Sequence, residues 1–237
     1  GKPGNKSART SAPFRPLSRR AFLRNGTLVM LAAAVGKPGE LAVAAAEPSD
    51  PLLRIGLLTD LHYADKPPAG KRFYRESLTK VKECVARFNE VRPDFAVEVG
   101  DLIDAAETAE GEIGYLKTIE AEYAKFKGER HYVLGNHCVW TLTKAEFLKN
   151  CGAKKEFYSF DRGEFHFVIL DACYRVDGVP YGQRNFTWTD TEIPPAERDW
   201  LKADLGATVK KTVVFVHQRL DVQNNYGVKS APEVRKI

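Results

Sequence analysis

The chain has 237 residues, 43% of them hydrophobic and 28% charged, with a formal net charge of +5. The charge is uneven: residues 1–46 hold eight Lys/Arg against one acidic residue and carry +7, which leaves −2 for residues 47–237. No basic stripe of the kind nucleic-acid binding needs remains on the later part, and the N-terminal apolar run falls short of the roughly 20 residues of a spanning helix.

Residues 1–46 read as an export signal. Ser18-Arg19-Arg20-Ala21-Phe22-Leu23 resembles a twin-arginine motif, Gly26–Val35 is a modest apolar stretch, and small residues at Leu41–Ala46 suit cleavage. The expectation is a precursor carried by the twin-arginine export machinery, with a periplasmic or extracellular product. Residues 47–237 suffice for one domain with a sizeable core.

Within that domain the apolar pattern predicts a strand at Leu53–Thr59, then a helix over Arg72–Val91 with Phe73, Leu78, Val81, Val85 and Phe88 near helical period. Pro93 ends this helix, because the residue before proline is pushed out of α geometry. A second strand is expected at Phe95–Val99, a helix at Glu112–Phe126 and a third strand at Tyr132–Leu134. Thr143 followed by Glu146 is a capping-box pattern opening a helix over Thr143–Lys149. Phe157–Phe160 and Phe165–Leu170 form a hairpin pattern with Gly163 at the turn. A long Gly- and Pro-containing loop spans Asp171–Pro195, followed by a helix at Glu197–Leu205 and a strand at Thr212–Val216. Alternating strands and helices followed by a hairpin argue for an α/β fold with a mixed sheet.

Four strand ends carry polar residues of one chemical kind. Asp60-Leu61-His62, Gly100-Asp101, Gly135-Asn136-His137 and His217 each follow an apolar run. The carboxyl ends of such strands share one edge, where ligands bind. Carboxylate and amide oxygens with imidazoles suit a divalent ion such as Mn, Fe or Zn. Singly, Asp60 or Asp101 reads equally well as a turn residue or helix cap, and His217 as a structural histidine. Together, after four strands, they point to a metal centre. Cys84, Cys138, Cys151 and Cys173 lack CxxC spacing, which excludes a zinc ribbon, and most are expected as small buried hydrophobes. His131 and His166 are expected to be structural, and Glu98 a solvated or paired strand residue.

The ordered set of D-x-H, G-D-x-x-D (Gly100, Asp101, Asp104), G-N-H and a strand ending in His resembles the calcineurin-like metallophosphoesterases, from about Leu53 onward. The resemblance implies a calcineurin-like layered α/β fold, with two packed mixed sheets flanked by helices, and two divalent metal ions that generate a hydroxide to attack a phosphate ester. It assigns Asp60, His62 and Asp101 to one ion, and Asp101, Asn136 and His217 to the other. It gives His137 the general-acid role, and Asp104 is expected to orient a ligand or cap the next helix. The family also carries a Gly-His-x-His element after a further strand, which these 237 residues do not contain. The expectation is therefore a C-terminally truncated domain, one ligand short at each metal, with an exposed sheet edge. Metal or phosphate binding without turnover is the alternative function. Cys138 stands where the family usually has Asp or Glu. A narrower resemblance, through Tyr63-Ala64-Asp65 and Arg72–Leu78, is to the branch of manganese-dependent ADP-ribose/CDP-alcohol diphosphatases. In that reading Arg72, Arg75 and Tyr63 contact a small phosphorylated substrate.

Overall fold

In the computed structural model, the residues described are 22–24, 27–29 and 52–237. The chain divides into two units, residues 1–49 and 50–237. In the first, β1 (Phe22–Arg24) pairs antiparallel with β2 (Thr27–Val29). The rest of the expected export signal lies outside the described residues.

The second unit is built in four layers. Its first sheet orders β3 (Ile55–Leu58), β4 (Phe95–Glu98) and β5 (Glu129–Tyr132), all parallel. The second pairs β6 (Tyr158–Arg162) antiparallel with β7 (Phe165–Ile169) and β7 parallel with β8 (Lys211–Phe215). Only this second sheet is mixed. The sheets meet through Phe95, Val97 and Val133 on one side and Phe167, Ile169 and Phe215 on the other. Each large side chain buried this way contributes roughly 1.5–3 kcal/mol. The outer face of the first sheet is covered by α1 (Ser77–Val91), α2 (Ala109–Tyr123) and α3 (Lys144–Cys151), and that of the second by α4 (Pro195–Gly206) and α5 (Ala231–Val234). β8 is an edge strand, with Val214 exposed.

Local chemistry sets the element ends. Arg92 closes α1 in the left-handed region at φ 49°, its N–H bonded to Phe88 O, just before Pro93. Thr108 caps α2 by accepting from Gly111 N at 3.2 Å, so the helix starts three residues earlier than its apolar period suggested. The capping box of Thr143 and Glu146 is formed at α3. Strand β5 lies earlier than expected. Its ladder with β4 runs from Glu129 opposite Phe95 to Tyr132 opposite Glu98, and the apolar Val133-Leu134 follows it. Hydrophobicity marks burial rather than laddering, so polar Glu129 and Arg130 were not legible as strand.

Glu98 is a correction. It is not solvated but fully buried, and neither carboxylate oxygen has a hydrogen-bond partner among the described residues. The cause is position: β4 is the central strand of a parallel sheet covered on both faces. Burial holds its carboxyl well above the usual range. His131 is structural, stacked on Phe160 with 3.8 Å between ring centroids, and His166 is held between Asp161 (2.7 Å) and Asp204 (2.8 Å). The four cysteines are free thiols, three of them buried. No described helix is long and apolar enough to cross a membrane.

A buried charged group joins the two halves of this unit. Lys144, opening α3, contacts Asp171 at 2.5 Å just beyond β7, and Asp171 N donates to Glu197 Oε1 of α4 at 2.8 Å. Burial, then the nearby Asp171 charge, pushes the Glu197 carboxyl up to about 9. Because this folded value exceeds the usual 4.5, the unfolded chain loses its proton first as pH rises, and stability falls from about pH 4.5 towards 9. Glu197→Gln, which cannot ionise, is expected to flatten that fall in thermal unfolding between about pH 5 and 9. Parallel Tm curves for the two proteins would contradict it.

Candidate metal centre

The loops after β3 and β4 continue the parallel ladder past the strand ends. Asp60 N donates to Gly100 O at 3.0 Å, His62 N to Asp101 O at 2.8 Å and Tyr63 N to Leu102 O at 3.1 Å. Along this path Asp60, His62 and Asp101 all adopt positive φ, at 55°, 46° and 59°. Such conformations cost a non-glycine residue roughly 1–3 kcal/mol each and persist only where the surroundings enforce them. The laced backbone enforces them here, and the result is two carboxylates and an imidazole in one place.

Asp101 is nearly buried and lies at the centre. Its Oδ2 is 3.5 Å from His62 Nε2 and 3.2 Å from His217 Nε2, and Asp60 Oδ1 is 3.7 Å from His62 Nε2. Its Oδ1 accepts from the His137 backbone N–H at 2.9 Å. Two three-donor groups share it: Asp60, Asp101 and His217 in one, His62, Asp101 and His137 in the other. Donors about 2.1 Å from a common ion lie roughly 3.0–3.4 Å apart at tetrahedral or octahedral angles, close to these spacings.

The outer contacts aim the rings. His217 Nδ1 donates to Val99 O at 2.8 Å, which turns Nε2 toward Asp101. His62 Nδ1 lies 3.0 Å from Asp104 Oδ2, which leaves its Nε2 facing Asp60 and Asp101. A ligating histidine characteristically ties its other nitrogen to a carbonyl or carboxylate; His217 does so, whereas His62 Nδ1 lies close to Asp104 without hydrogen-bond geometry. The donor set fits a divalent cation beside Asp101, but it groups Asp60 with His217 rather than with His62, and the His62 group reaches three donors only with His137. Asn136 opens the 3-10 turn Asn136–Val139, tied to Asp101 through the His137 N–H.

Charges in the site are strongly coupled. Burial opposes ionising Asp101, but its bond to His217 and the nearby imidazoles hold its carboxyl below the usual range. The contact with His62 brings Asp60 down to about 2. For His217, burial disfavours the charged ring, yet Asp101 and Val99 O outweigh it and bring the ring up to about 9. Asp104 lies far below the ordinary carboxylate range: burial is outweighed by His137, His62 and Lys66.

Two glycines give this packing room. A β-carbon on Gly135 would sit 2.2 Å from Asp101 Oδ1, and one on Gly100 would sit 2.5 Å from His217 Nδ1. Gly100 also has φ +96°, a region L side chains rarely adopt.

The expected substrate contacts divide. Arg72 lies at the site, with Nη1 3.1 Å from Asp104 Oδ2 and Nη2 3.4 Å from His137 Nε2. Arg75 instead pairs with Asp65 at 2.6 Å on the exposed side of the turn. Tyr63 is 7% exposed, its ring packed 6.1 Å from that of Tyr115 in the core, so it offers no face to a ligand. Its backbone belongs to the laced loop, and its side chain therefore points inward. Sequence reasoning missed Lys66, whose Nζ is 2.7 Å from Asp104 Oδ1. No motif marked it, because the loop Asp65–Lys71 has neither periodicity nor a recurrent pattern.

No protein-family model matches the chain. In fold, the chain matches a dimetal phosphatase from Danio rerio with a TM-score of 0.66 over 79% of this chain and 77% of that one, at 20% identity. The likeness is one of fold. In sequence, the chain is 27% identical over 134 residues to a manganese-dependent ADP-ribose/CDP-alcohol diphosphatase of Oryza sativa subsp. japonica, covering 52% of this chain and 42% of the relative. It is 27% identical over 146 residues to the Arabidopsis thaliana protein of the same name, covering 57% and 47%. The chain thus spans less than half the length of these relatives.

Asp101→Ala is expected to abolish Mn binding at both groups in a calorimetric titration, whereas Asp60→Ala leaves one. Gly135→Ala isolates the steric contact, since its φ of −107° suits alanine. It is expected to weaken Mn binding by about 10- to 100-fold, the usual cost of disturbing the support of a ligand. Unchanged titrations would show that Asp101 need not hold this position.

Proposed function

We propose that residues 47–237 form a hydrolase of phosphate esters that uses two divalent cations, acting on a phosphodiester, phosphomonoester or pyrophosphate link. The observation that carries this reading is the single Asp101 carboxylate set between His62 Nε2 and His217 Nε2, with the His217 ring held from behind by Val99 O. A pair of cations held there neutralises phosphate charge and acidifies water. His62, Asp60, Asp101, Asn136 and His217 would hold them.

The remaining work falls to the chain's own side chains. Arg72 is anchored by Asp104 and faces His137, so a phosphate oxygen bound between them would accept from both. His137 Nδ1 lies 3.3 Å from Asp104, which orients the ring and leaves Nε2 facing Arg72. That nitrogen is positioned to pass a proton to the departing oxygen as the P–O bond breaks, while one water is consumed. The enzyme names of the relatives favour turnover over binding alone. Their names also supply the candidate substrate class, nucleotides joined through a pyrophosphate. The twin-arginine-type start supports export to the periplasm or beyond.

His137→Ala is expected to lower kcat by about 10²–10⁴ while the protein still binds Mn through Asp60, Asp101 and His217. Arg72→Ala is expected to raise KM more than it lowers kcat. Steady-state hydrolysis of ADP-ribose with and without Mn tests both. Wild-type protein that loads Mn yet releases no product from ADP-ribose or simpler phosphate esters would sink the reading.

A further inference from the structure

Two loops carry His137 and the carboxylate that orients it, and both are tied together away from the metal centre. Asp104 stands between β4 and α2, and His137 in the 3-10 turn after β5. One tie is Glu112, in the first turn of α2 and fully buried. Its Oε1 accepts from Ala106 N at 3.1 Å, and its Oε2 from Thr141 N at 3.0 Å and Leu142 N at 3.3 Å. A single carboxylate therefore holds backbone just after Asp104 and just after the His137 turn. Backbone N–H donors are what make such a buried group tolerable.

The second tie is Arg184, an exposed residue of the long loop after β7. Its Nη2 donates to Ala106 O at 3.2 Å and to Glu107 O, and its backbone N donates to Trp140 O at 2.7 Å. Ala106 thus gives its N–H to Glu112 and its carbonyl to Arg184. Gln183 and Arg184 have φ of 52° and 62°, a conformation that non-glycine residues keep only where their surroundings enforce it. Phe186 supplies that support: it stacks on Tyr181 at 3.8 Å between ring centroids and meets Trp140 edge-on at 5.4 Å. Neither Glu112 nor Arg184 belongs to the two donor groups of the metal centre.

We propose that Glu112 and Arg184 are positioning residues, a clamp that locks the Asp104 loop to the His137 turn and so sets the direction in which His137 presents its proton. The distance they govern is the 3.3 Å between His137 Nδ1 and Asp104 Oδ2. This rests on the phosphoesterase reading, in which His137 Nε2 passes a proton to the departing oxygen. Misplacing a reacting group by about 1 Å costs about 10²-fold in rate, even when the change lies far from the chemistry. The group of Asp60, Asp101 and His217 lies outside the clamp, so its hold on a cation does not depend on it.

The test pairs steady-state hydrolysis by the Mn-loaded protein with amide hydrogen exchange and histidine ¹⁵N spectra of the diamagnetic Zn-loaded protein. Arg184→Ala is expected to lower kcat about 10- to 100-fold, with KM rising less than about threefold. Arg184→Lys, which keeps the charge, is expected to recover part of kcat. Glu112→Gln, which loses one of its two acceptor oxygens, is expected to give the same split. In Arg184→Ala and Glu112→Gln the Thr141 and Leu142 amides exchange about fivefold faster or more, the His137 ring signals shift, and Phe95–Glu98 of β4 keeps its wild-type exchange. Exchange that quickens equally in β4 marks general destabilisation and overturns the clamp. Local loosening with unchanged kcat, or no loosening at all, overturns it as well. Local loosening with shifted His137 signals, in a protein that shows no hydrolysis, would leave the clamp standing and remove the catalytic reading instead.

Discussion

The metal end of this fold depends on one carboxylate held almost out of water among imidazoles. Asp101 Oδ2 lies within 3.5 Å of His62 and His217, and its Oδ1 is fixed by the His137 N–H. Buried charge is costly unless it is paired and hydrogen-bonded, so this group would be a serious liability in isolation. It is tolerable because residues from three other strand ends converge on it, and because a cation would complete the compensation. The same demand explains the left-handed backbone at Asp60, His62 and Asp101, and why residues 100 and 135 carry no β-carbon.

A second tier of polar groups gives the centre its precision. Asp104 gathers His62, His137, Arg72 and Lys66 around two oxygens, so the placement of all four side chains depends on one residue. Behind the site lies Glu98, buried on the central strand and without a hydrogen-bond partner among the described residues. Further off, Lys144, Asp171 and Glu197 join α3, the end of β7 and α4. Charged contacts thus link the outer helices α3 and α4 through the end of β7.

Much of the architecture was readable from pattern. Runs such as Phe95–Val99 and Phe165–Leu170 mark strands because both faces of a covered sheet are apolar, and Thr143 with Glu146 marks a helix start because the cap satisfies its own backbone. Where the reading slipped, hydrophobicity had been taken for geometry. β5 begins at Glu129 because pairing with β4 decides it, and Phe73 lies outside α1 because the turn at residues 69–72 comes first.

The sequence by itself determined the chemistry of the centre: hard oxygens and imidazoles set after apolar runs, in an order that carried the family resemblance. It could do so because ligand identity and strand order are properties of the chain. Which side chains face that centre was decided only by tertiary structure. Arg72 reaches His137 while Arg75 turns to Asp65, Tyr63 faces the core, and Lys66 reaches Asp104 from a loop without periodicity. Direction depends on backbone torsions imposed by distant hydrogen bonds, and those exist only once β3, β4 and β5 lie side by side.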